Sequence, residues 1–342
     1  MARIVALALV FVLAGCMPQS RPPTVGRADV QAEAKKQKAL VLRERLGMQA
    51  RVLGVAWNLR LHNAALCGEN LAYGLGVSLA TRDDASEDLR EGSLGADLHV
   101  RPRVIFVAAG GPADQAGIRV GDMLYAVNGM EAGTRKAARD ALDGVYAKGQ
   151  RVSLAVKRDG KITEHLLTPV RLCGYPVVLQ FSSELNAYAD GKQIIMNSAM
   201  VKFTRTDNEL AEIMAHELAH NSQGHLKAKR VNQTIGGLLI DLPAAVFGVR
   251  SNVGQNLGGL AFSQDFETEA DYVGLYYAAR AGYDIQNVAD IWRRVAAESP
   301  KSITTGTTHP SSAQRFVALE AARDEIYAKQ KAGKPLVPEM KK

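Results

Sequence analysis

The first periodic segment of the chain is helical. Between residues 29 and 67 the apolar residues Leu42, Leu53 and Trp57 recur at helical spacings, with Lys and Arg between them. This pattern predicts an amphipathic helix that buries one face. Gly47 lies near its middle and offers a point at which the helix can break in two.

Short strands replace the helical pattern between residues 71 and 171. Val152, Leu154 and Val156 alternate with polar residues, and the hairpin turn signal Asp159-Gly160 follows them. We therefore expect a β-rich module that is inserted near the N-terminus of the chain. The helix at 29–67 then belongs with the segment that follows the module.

From residue 173 to residue 330 the pattern predicts two short strands and then mostly helix. One helix begins at Thr206-Asp207-Asn208-Glu209, which has the form of a capping box. The expected fold class is α+β, with a mainly helical domain that contains a small sheet, plus the β-rich module. The basic residues 331–342 are predicted to be a disordered tail.

Residues 1–15 resemble an export signal. Arg3 precedes an apolar run of about ten residues, which is too short to span a bilayer. The run ends in Leu13-Ala14-Gly15-Cys16, which resembles the lipobox of bacterial lipoproteins. The resemblance implies a lipid on Cys16, a tether at 16–28 and a periplasmic site at the outer membrane, since Met17 stands where inner-membrane retention would show Asp. An ordinary signal peptide with a chance cysteine is the alternative.

Charge and cysteine content fit this location. The formal net charge is +7, but Lys and Arg are scattered, which favours solvated faces over a nucleic-acid site. Cys67 and Cys173 flank the β-rich module, and in an oxidising compartment they are a natural disulfide pair. Two buried free thiols are the alternative. The sequence does not indicate an oligomeric state.

The candidate chemistry lies on the predicted helix after residue 206. His216 and His220 are one turn apart on one face, so both imidazoles can reach one zinc ion. Glu217 would then stand beside the attacking water as general base. H-E-x-x-H alone also occurs by chance on polar helices, so further ligands decide the interpretation.

A zinc hydrolase needs a third protein ligand. A histidine at position 226 would indicate the metzincin arrangement, but that residue is Leu226. Glu267 and Asp271 share one face of a later predicted helix, so Glu267 can ligate while Asp271 accepts a hydrogen bond from a ligand histidine. Glu269 points to the other side of that helix and is predicted to be solvated.

Two resemblances follow from these motifs. The segment Gly111–Asp122 reads G-P-A-D-x-A-G-I-x-x-G-D, and with its surroundings at 71–171 it resembles a PDZ domain of the bacterial periplasmic-protease type. The resemblance implies a loop that captures peptide carboxylates while a strand edge accepts the peptide. The loop residues would be Gly74, Leu75, Gly76 and Val77. Glycines that only make turns are the alternative.

The second resemblance is to the family-48 metallopeptidases, which include HtpX-like and CAAX-prenyl-protease-like enzymes. It is carried by His216–His225, Glu267–Asp271 and Thr308–Ser311. It implies one Zn²⁺ per chain on His216, His220 and Glu267, with Glu217 catalytic. It also implies that His309 lies near the zinc, where it polarises the substrate carbonyl or caps the metal; a helix-start role is the alternative. The active-site edge strand would comprise Asn186, Ala187, Tyr188 and Ala189.

These observations predict a zinc endopeptidase that hydrolyses polypeptides of the periplasm or outer membrane, with the PDZ module positioning the substrate. The predicted partners are unfolded or outer-membrane polypeptides and, through Cys16, the membrane. The alternative is a latent or non-proteolytic metal-containing chaperone or scaffold that binds envelope proteins.

Overall fold

The computed structural model describes residues 23–228, 263–298 and 313–340, together with residues 20 and 231. The predicted signal segment, Cys16 and His309 lie outside these residues. No helix in the described segments is long and apolar enough to cross a membrane.

Most elements between residues 71 and 197 are strands, and the described segments before and after are helical. The helices are α1 (Arg27–His62), α2 (Pro112–Gln115), α3 (Arg135–Lys148), α4 (Ser198–Phe203), α5 (Asp207–Ser222), α6 (Ser263–Arg280), α7 (Val288–Glu298) and α8 (Ala313–Lys331). The strands are β1 (Leu71–Gly74), β2 (Val77–Ala80), β3 (Arg103–Val107), β4 (Met123–Val127), β5 (Met130–Glu131), β6 (Val152–Arg158), β7 (Lys161–Leu167), β8 (Val170–Cys173), β9 (Val177–Gln180), β10 (Ala187–Ala189) and β11 (Ile194–Asn197).

The main hydrophobic core joins the C-terminal half of α1 to the chain after residue 173. Val55 and Leu59 of α1 are buried in the same cluster as Met214 of α5, Tyr276 of α6 and Ile326 of α8. Helix α1 therefore belongs structurally with the helical domain, although about a hundred residues of β-rich chain separate the two in sequence.

The β-rich chain has its own core. Strands β2, β3, β4, β6 and β7 follow this order in one sheet, and β5 pairs with β4. The sheet packs against α3, where Leu142 and Val145 are buried together with Leu124 and Val156. This separate core agrees with the β-rich module predicted at 71–171.

A small three-stranded sheet lies beside the main core. The order is β10-β11-β9, with β10 antiparallel and β9 parallel to β11. Strand β11 is fully buried, with Met196 paired to Ala187 and to Leu179. Within the described residues, β10 pairs on one side only, so it is an edge strand of this sheet.

Helix α1 is continuous through Gly47, so a break at that residue does not occur. A glycine inside a helix costs about 1 kcal/mol relative to alanine. Tertiary contacts on both sides of Gly47 offset that cost. Leu42 is buried against Leu89 and its neighbours before β3, and Val52 lies in the main core.

Residues 332–340 are docked rather than disordered, so the prediction of a disordered tail is wrong for this part. The guanidinium of Arg280 donates to the carbonyl of Leu336 at 3.0 Å, and the backbone N–H of Glu339 donates to the Tyr272 hydroxyl at 3.1 Å. Leu336 also packs against the main core. The composition of the tail alone suggested disorder. The residues that hold it, Arg280 and Tyr272, are distant in sequence, so the composition of the tail could not reveal these contacts.

Trp57 of α1 contacts the β-rich module through a small cluster separate from both cores. Its ring packs with Ala108 and Leu172, and a Cβ at Gly76, in the turn between β1 and β2, would lie 3.4 Å from that ring. Gly76 has a φ of 71°, in the left-handed region that favours glycine. The turn therefore rests directly against the helical domain.

Cys67 and Cys173 form a disulfide bond in the structure, with their Cα atoms 5.5 Å apart. The bond closes a loop that contains the whole β-rich module. Strands β1 and β8 continue the closure, because Leu71 pairs with Cys173 and Gly74 with Val170. The module thus enters and leaves the helical domain at one point.

Removal of this bond should destabilise the protein. The two cysteines are 106 residues apart, and the chain-entropy model gives about 4.7 kcal/mol for a loop of about 100 residues. We expect the Cys67→Ser/Cys173→Ser variant to lose about 2–5 kcal/mol of unfolding free energy in urea titrations. A reductant should destabilise the wild type but not this variant; equal effects on both proteins would contradict the prediction.

Candidate metal centre

Helix α5 is fixed at its N-terminus. The Thr206 hydroxyl accepts a hydrogen bond from the backbone N–H of Glu209 at 3.3 Å, while the Glu209 carboxylate accepts from the N–H of Arg205 at 2.7 Å. In a standard capping box the Glu209 carboxylate would accept from the N–H of Thr206. Here it accepts from the preceding residue, Arg205, so the predicted capping box is present with its second bond shifted by one residue. Arg51 of α1 donates to the Thr206 carbonyl and to Asp207, which ties α5 to α1.

Helix α6 crosses α5 at a glycine. A Cβ on Gly274 would lie 2.9 Å from both the Cα and the backbone N of His216, closer than real Cβ atoms come. Only a residue without a side chain allows this approach. The crossing sets the face of α6 that carries Glu267 and Asp271 against the face of α5 that carries His216.

Three buried side chains converge at this crossing. The Nε2 atoms of His216 and His220 are 3.1 Å apart. The Glu267 carboxylate lies 3.4 Å from the first of these nitrogens and 3.3 Å from the second. The three predicted ligands therefore form a compact donor group with one ligand atom each. Glu217, the next residue after His216, is 2% exposed.

His216 is held from behind by Asp271. Its Nδ1 lies 2.9 Å from the Asp271 carboxylate, in the arrangement that the sequence predicts. Arg315 of α8 donates twice to that carboxylate, at 2.7 Å each, and its guanidinium lies 3.2 Å from Glu267. A buried carboxylate is costly unless it is paired, and Arg315 supplies the partner.

His220 is held by a second histidine. Its Nδ1 lies 3.0 Å from Nδ1 of His225, and Nε2 of His225 lies 3.2 Å from the Glu269 carboxylate. Glu269 is 42% exposed, as its predicted solvation requires, but it is also a hydrogen-bond partner of a buried ring, which the prediction did not include. The sequence gives no direct signal for this contact, because His225 lies beyond the C-terminus of α5.

Residues 160–323 match the sequence profile of peptidase family M48, and residues 74–167 match that of a PDZ domain. Two segments of the chain thus match an M48 peptidase and a PDZ domain. This confirms both family resemblances. The M48 family implies a metal cofactor, which agrees with the His-His-Glu donor group.

Curated relatives agree with this assignment. The beta-barrel assembly-enhancing protease of Yersinia pestis is 27% identical over segments that cover 34% of this chain and 27% of that protein. The mitochondrial metalloendopeptidase OMA1 of Schizosaccharomyces pombe is 31% identical, with coverages of 41% and 44%. The chain therefore spans between about a quarter and less than half of these relatives.

One solved structure illustrates the PDZ likeness. The HtrA3 PDZ domain bound to a phage-derived ligand is 19% identical and covers 30% of this chain and 88% of that chain. Its TM-score is 0.24, which is too low to support a functional argument.

The electrostatics of the M48 site favour positive charge among the donors. Burial disfavours the charged form of His216, but Asp271 and Glu267 together raise the pKa of its imidazole to about 10. Burial also opposes ionisation of Asp271, yet hydrogen bonds from Arg315 and His216 hold the pKa of its carboxyl below the usual value. The Asp271 carboxylate behind His216 therefore favours positive charge on or near that ring, which a proton or a divalent cation can supply.

Asn221 connects the site to the edge strand. Its side-chain carbonyl accepts from the N–H of Gly191 at 2.8 Å, and its amide donates to the carbonyl of Gln193 at 2.9 Å. Both contacts fix the turn between β10 and β11. The predicted edge strand is present as β10, although Asn186 lies just before its first residue. Asn221 directly follows His220, so it holds β10 beside the donor group.

Two further residues escaped sequence reasoning. Arg315 resembles any basic helix residue until its contacts are seen. Glu212 lies one turn before His216, and desolvation of its carboxyl raises its pKa well above the usual value. An acid at a helix position that is otherwise surface-like in sequence gives no signal of such desolvation.

The PDZ groove lies between β2 and α3. Its volume is about 370 Å³, and it is lined on one side by Val77 and Leu79 and on the other by Ala138 and Leu142. In the described part of the chain, the backbone N–H groups of Leu75 and Gly76 donate to no acceptor. Of the predicted loop, Val77 lines this groove, and Leu75 and Gly76 directly precede it in the chain.

Substitution of Gly274 should loosen the metal centre. In a Gly274→Ala variant the methyl group would collide with the backbone of His216, so α5 and α6 must separate. We expect a loss of about 1–3 kcal/mol of unfolding free energy and weaker zinc binding, measured by urea unfolding and by competition with a chelator.

Gly144 of α3 is a matched control, because a Cβ there would meet no atom within 4 Å. Gly144→Ala should be neutral or stabilising by up to about 1 kcal/mol. Unchanged stability and zinc affinity in Gly274→Ala would contradict the crossing argument.

Proposed function

We propose that the chain is a zinc-dependent endopeptidase that hydrolyses polypeptides of the bacterial envelope. The observation that carries this proposal is the donor group of His216, His220 and Glu267 next to Glu217. Its family, M48, is one of metal-dependent peptidases, and both relatives named above are called proteases or endopeptidases.

The spacing of the donors fits zinc. Zinc sites are tetrahedral, with zinc–ligand distances of about 2.0–2.1 Å for histidine. Two ligands of a tetrahedron with these bond lengths are about 3.3–3.4 Å apart. The Nε2 atoms of the two histidines are 3.1 Å apart, and each lies close to a different Glu267 oxygen, His220 at 3.3 Å from Oε1 and His216 at 3.4 Å from Oε2. Three protein ligands are also the number that catalytic zinc sites use, with the fourth position left for water or substrate.

The role of each residue follows from its position. When bound, the zinc lowers the pKa of a water and polarises the scissile carbonyl. We assign to Glu217 the removal of a proton from the attacking water and its transfer to the departing amine nitrogen. His216, His220 and Glu267 hold the metal, and Asp271 orients His216. His309 would lie near the same site; it is outside the described residues.

Strand β10 supplies a surface for the substrate. An edge strand has unused backbone donors and acceptors, so an extended peptide can add to it as a further strand. Asn221 holds the turn after β10 directly to the helix with the ligands. We therefore propose that the substrate lies along Asn186–Ala189, with its scissile bond over the donor group.

The PDZ domain would select or position polypeptide termini. The N–H groups of Leu75 and Gly76 and the apolar walls of the groove suit a C-terminal carboxylate and an apolar last side chain. Since Trp57 packs behind this turn, a bound terminus would have a fixed position relative to the M48 domain, and the PDZ domain would act as an insert in that domain.

The resemblance of residues 1–16 to a lipoprotein export signal supports a location in the envelope. We propose a periplasmic protein that is anchored to the outer membrane through a lipid on Cys16. The name of the Yersinia pestis relative refers to β-barrel assembly, which agrees with substrates among outer-membrane polypeptides and with a role in protein quality control.

Replacement of Glu217 tests the mechanism. Glu217→Gln removes the general base but leaves the metal ligands, so casein cleavage should fall by about 10²–10⁴-fold while zinc content stays at one per chain. Glu298→Gln, at the exposed end of α7, is the control and should keep its activity within about twofold. Cleavage that survives in Glu217→Gln would refute the mechanism.

The same assay separates the peptidase from a metal-containing chaperone. A zinc-loaded wild type that prevents aggregation of an unfolded outer-membrane protein without cutting it would favour the chaperone. Cleavage that depends on Glu217 would favour the peptidase.

Peptide binding tests the PDZ proposal. We expect a fluorescent peptide with an apolar C-terminal residue to bind about 10–100-fold more tightly than its C-terminal amide, because a charge-assisted hydrogen bond contributes about 1.5–3 kcal/mol. Fluorescence anisotropy measures both affinities on the full chain. Equal affinities for acid and amide would show that the loop does not capture carboxylates.

A further inference from the structure

His225 is built into the metal centre although it is not one of the ligands. Its ring is 4% exposed and stacks on Phe266, with ring centroids 4.8 Å apart and planes at 18°. Both of its nitrogens have a partner: Nδ1 faces His220 at 3.0 Å and Nε2 faces Glu269 at 3.2 Å.

The positions of the protons follow from the geometry. Nε2 of His220 points at the Glu267 carboxylate and at Nε2 of His216, so it is the nitrogen that would hold a metal. Nδ1 of His220 then carries the proton and must donate it. The atom in reach is Nδ1 of His225, which therefore accepts. The proton of His225 is consequently on Nε2, directed at Glu269.

We propose that His225 and Glu269 form a positioning relay that fixes the orientation and tautomer of His220 and so sets the affinity of the site for its divalent metal. Hydrogen bonds behind a ligand histidine orient the ring and strengthen it as a ligand. The relay joins the two halves of the centre, because His225 follows α5 while Phe266 and Glu269 belong to α6, next to Glu267. The inference rests on the proposed metal site but not on peptidase activity.

The two ligand histidines are thus supported in different ways. Asp271 behind His216 has a side chain that is 2% exposed and is paired with Arg315. Glu269 at the end of the other relay is 42% exposed, so water screens its charge. The His225 contact should therefore matter more for metal affinity than the Glu269 contact.

The tautomers can be observed directly. Two-bond ¹H–¹⁵N correlation spectra of the zinc-loaded full chain, with assignments from His→Asn variants, report which ring nitrogen carries the proton. We expect His220 to be protonated on Nδ1 and His225 on Nε2. Protonation of His225 on Nδ1 would overturn the relay.

Zinc affinity tests its consequence. His225→Phe keeps the stacking on Phe266 but removes the acceptor, and we expect a loss of affinity of about 10–100-fold in competition with a chelator. His225→Asn places a side-chain oxygen near the position of Nδ1 and should recover most of the loss. Glu269→Gln should cost less than His225→Phe but more than Asp265→Asn, the control for removal of an exposed charge on α6.

Each outcome decides the proposal. Thermal unfolding of the metal-free proteins shows whether a variant is folded. If His225→Phe does not fold, two measurements still test the relay. One is the tautomer spectrum of the wild type, and the other is the zinc affinity of Glu269→Gln, a substitution at a half-exposed side chain. A folded His225→Phe with zinc affinity within about twofold of wild type would overturn the relay. Failure of casein cleavage with normal zinc binding would count against the proposed peptidase and leave the relay intact.

Discussion

The metal centre depends on one backbone contact, the crossing of α6 over α5 at Gly274. Metal ligands on two separate helices can converge only if the helix axes approach closely, and a glycine at the crossing removes the side chain that would hold them apart. The contact falls at His216 itself. The close approach of the two main chains therefore places Glu267 and Asp271 of α6 next to the ligands of α5. The side-chain rotamers only complete an arrangement that the backbones already determine.

This close approach brings buried carboxyl groups together where water does not reach them, so they need neighbouring positive charge. Glu267 and Asp271 are both buried at the crossing, and isolated carboxylates there would be strongly unfavourable. Arg315 reaches both from α8, and further positive charge among the donors would complete the balance. The raised pKa of His216 describes the same demand. A divalent cation held by two neutral histidines and Glu267 meets it, and the centre thereby connects α5, α6 and α8.

Sequence reasoning recovered the parts of this arrangement that follow from local spacing. The i, i+4 histidines, the shared face of Glu267 and Asp271 and the strands of the β-rich module depend on periodicity within one element, while the edge strand was implied by the family resemblance. It failed where the partner came from elsewhere in the chain. Glu269 has the spacing of a solvated residue, but a histidine 44 positions earlier is beside it. The tail after α8 has the composition of a disordered segment, but Arg280 and Tyr272 bind its backbone.

Periodicity within α1 was enough to assign this helix to the helical domain. It could not show which parts of the chain α1 contacts. Its pattern shows that one face is buried, not what lies on it. In the structure Arg51 donates to the residues that begin α5, and Trp57, less than two turns later, supports the turn at Gly76. The disulfide closes the module at the end of the same helix. Helix α1 thus contacts both the start of α5 and the back of the turn at Gly76. The metal centre and the PDZ loop are therefore both positioned by the same helix.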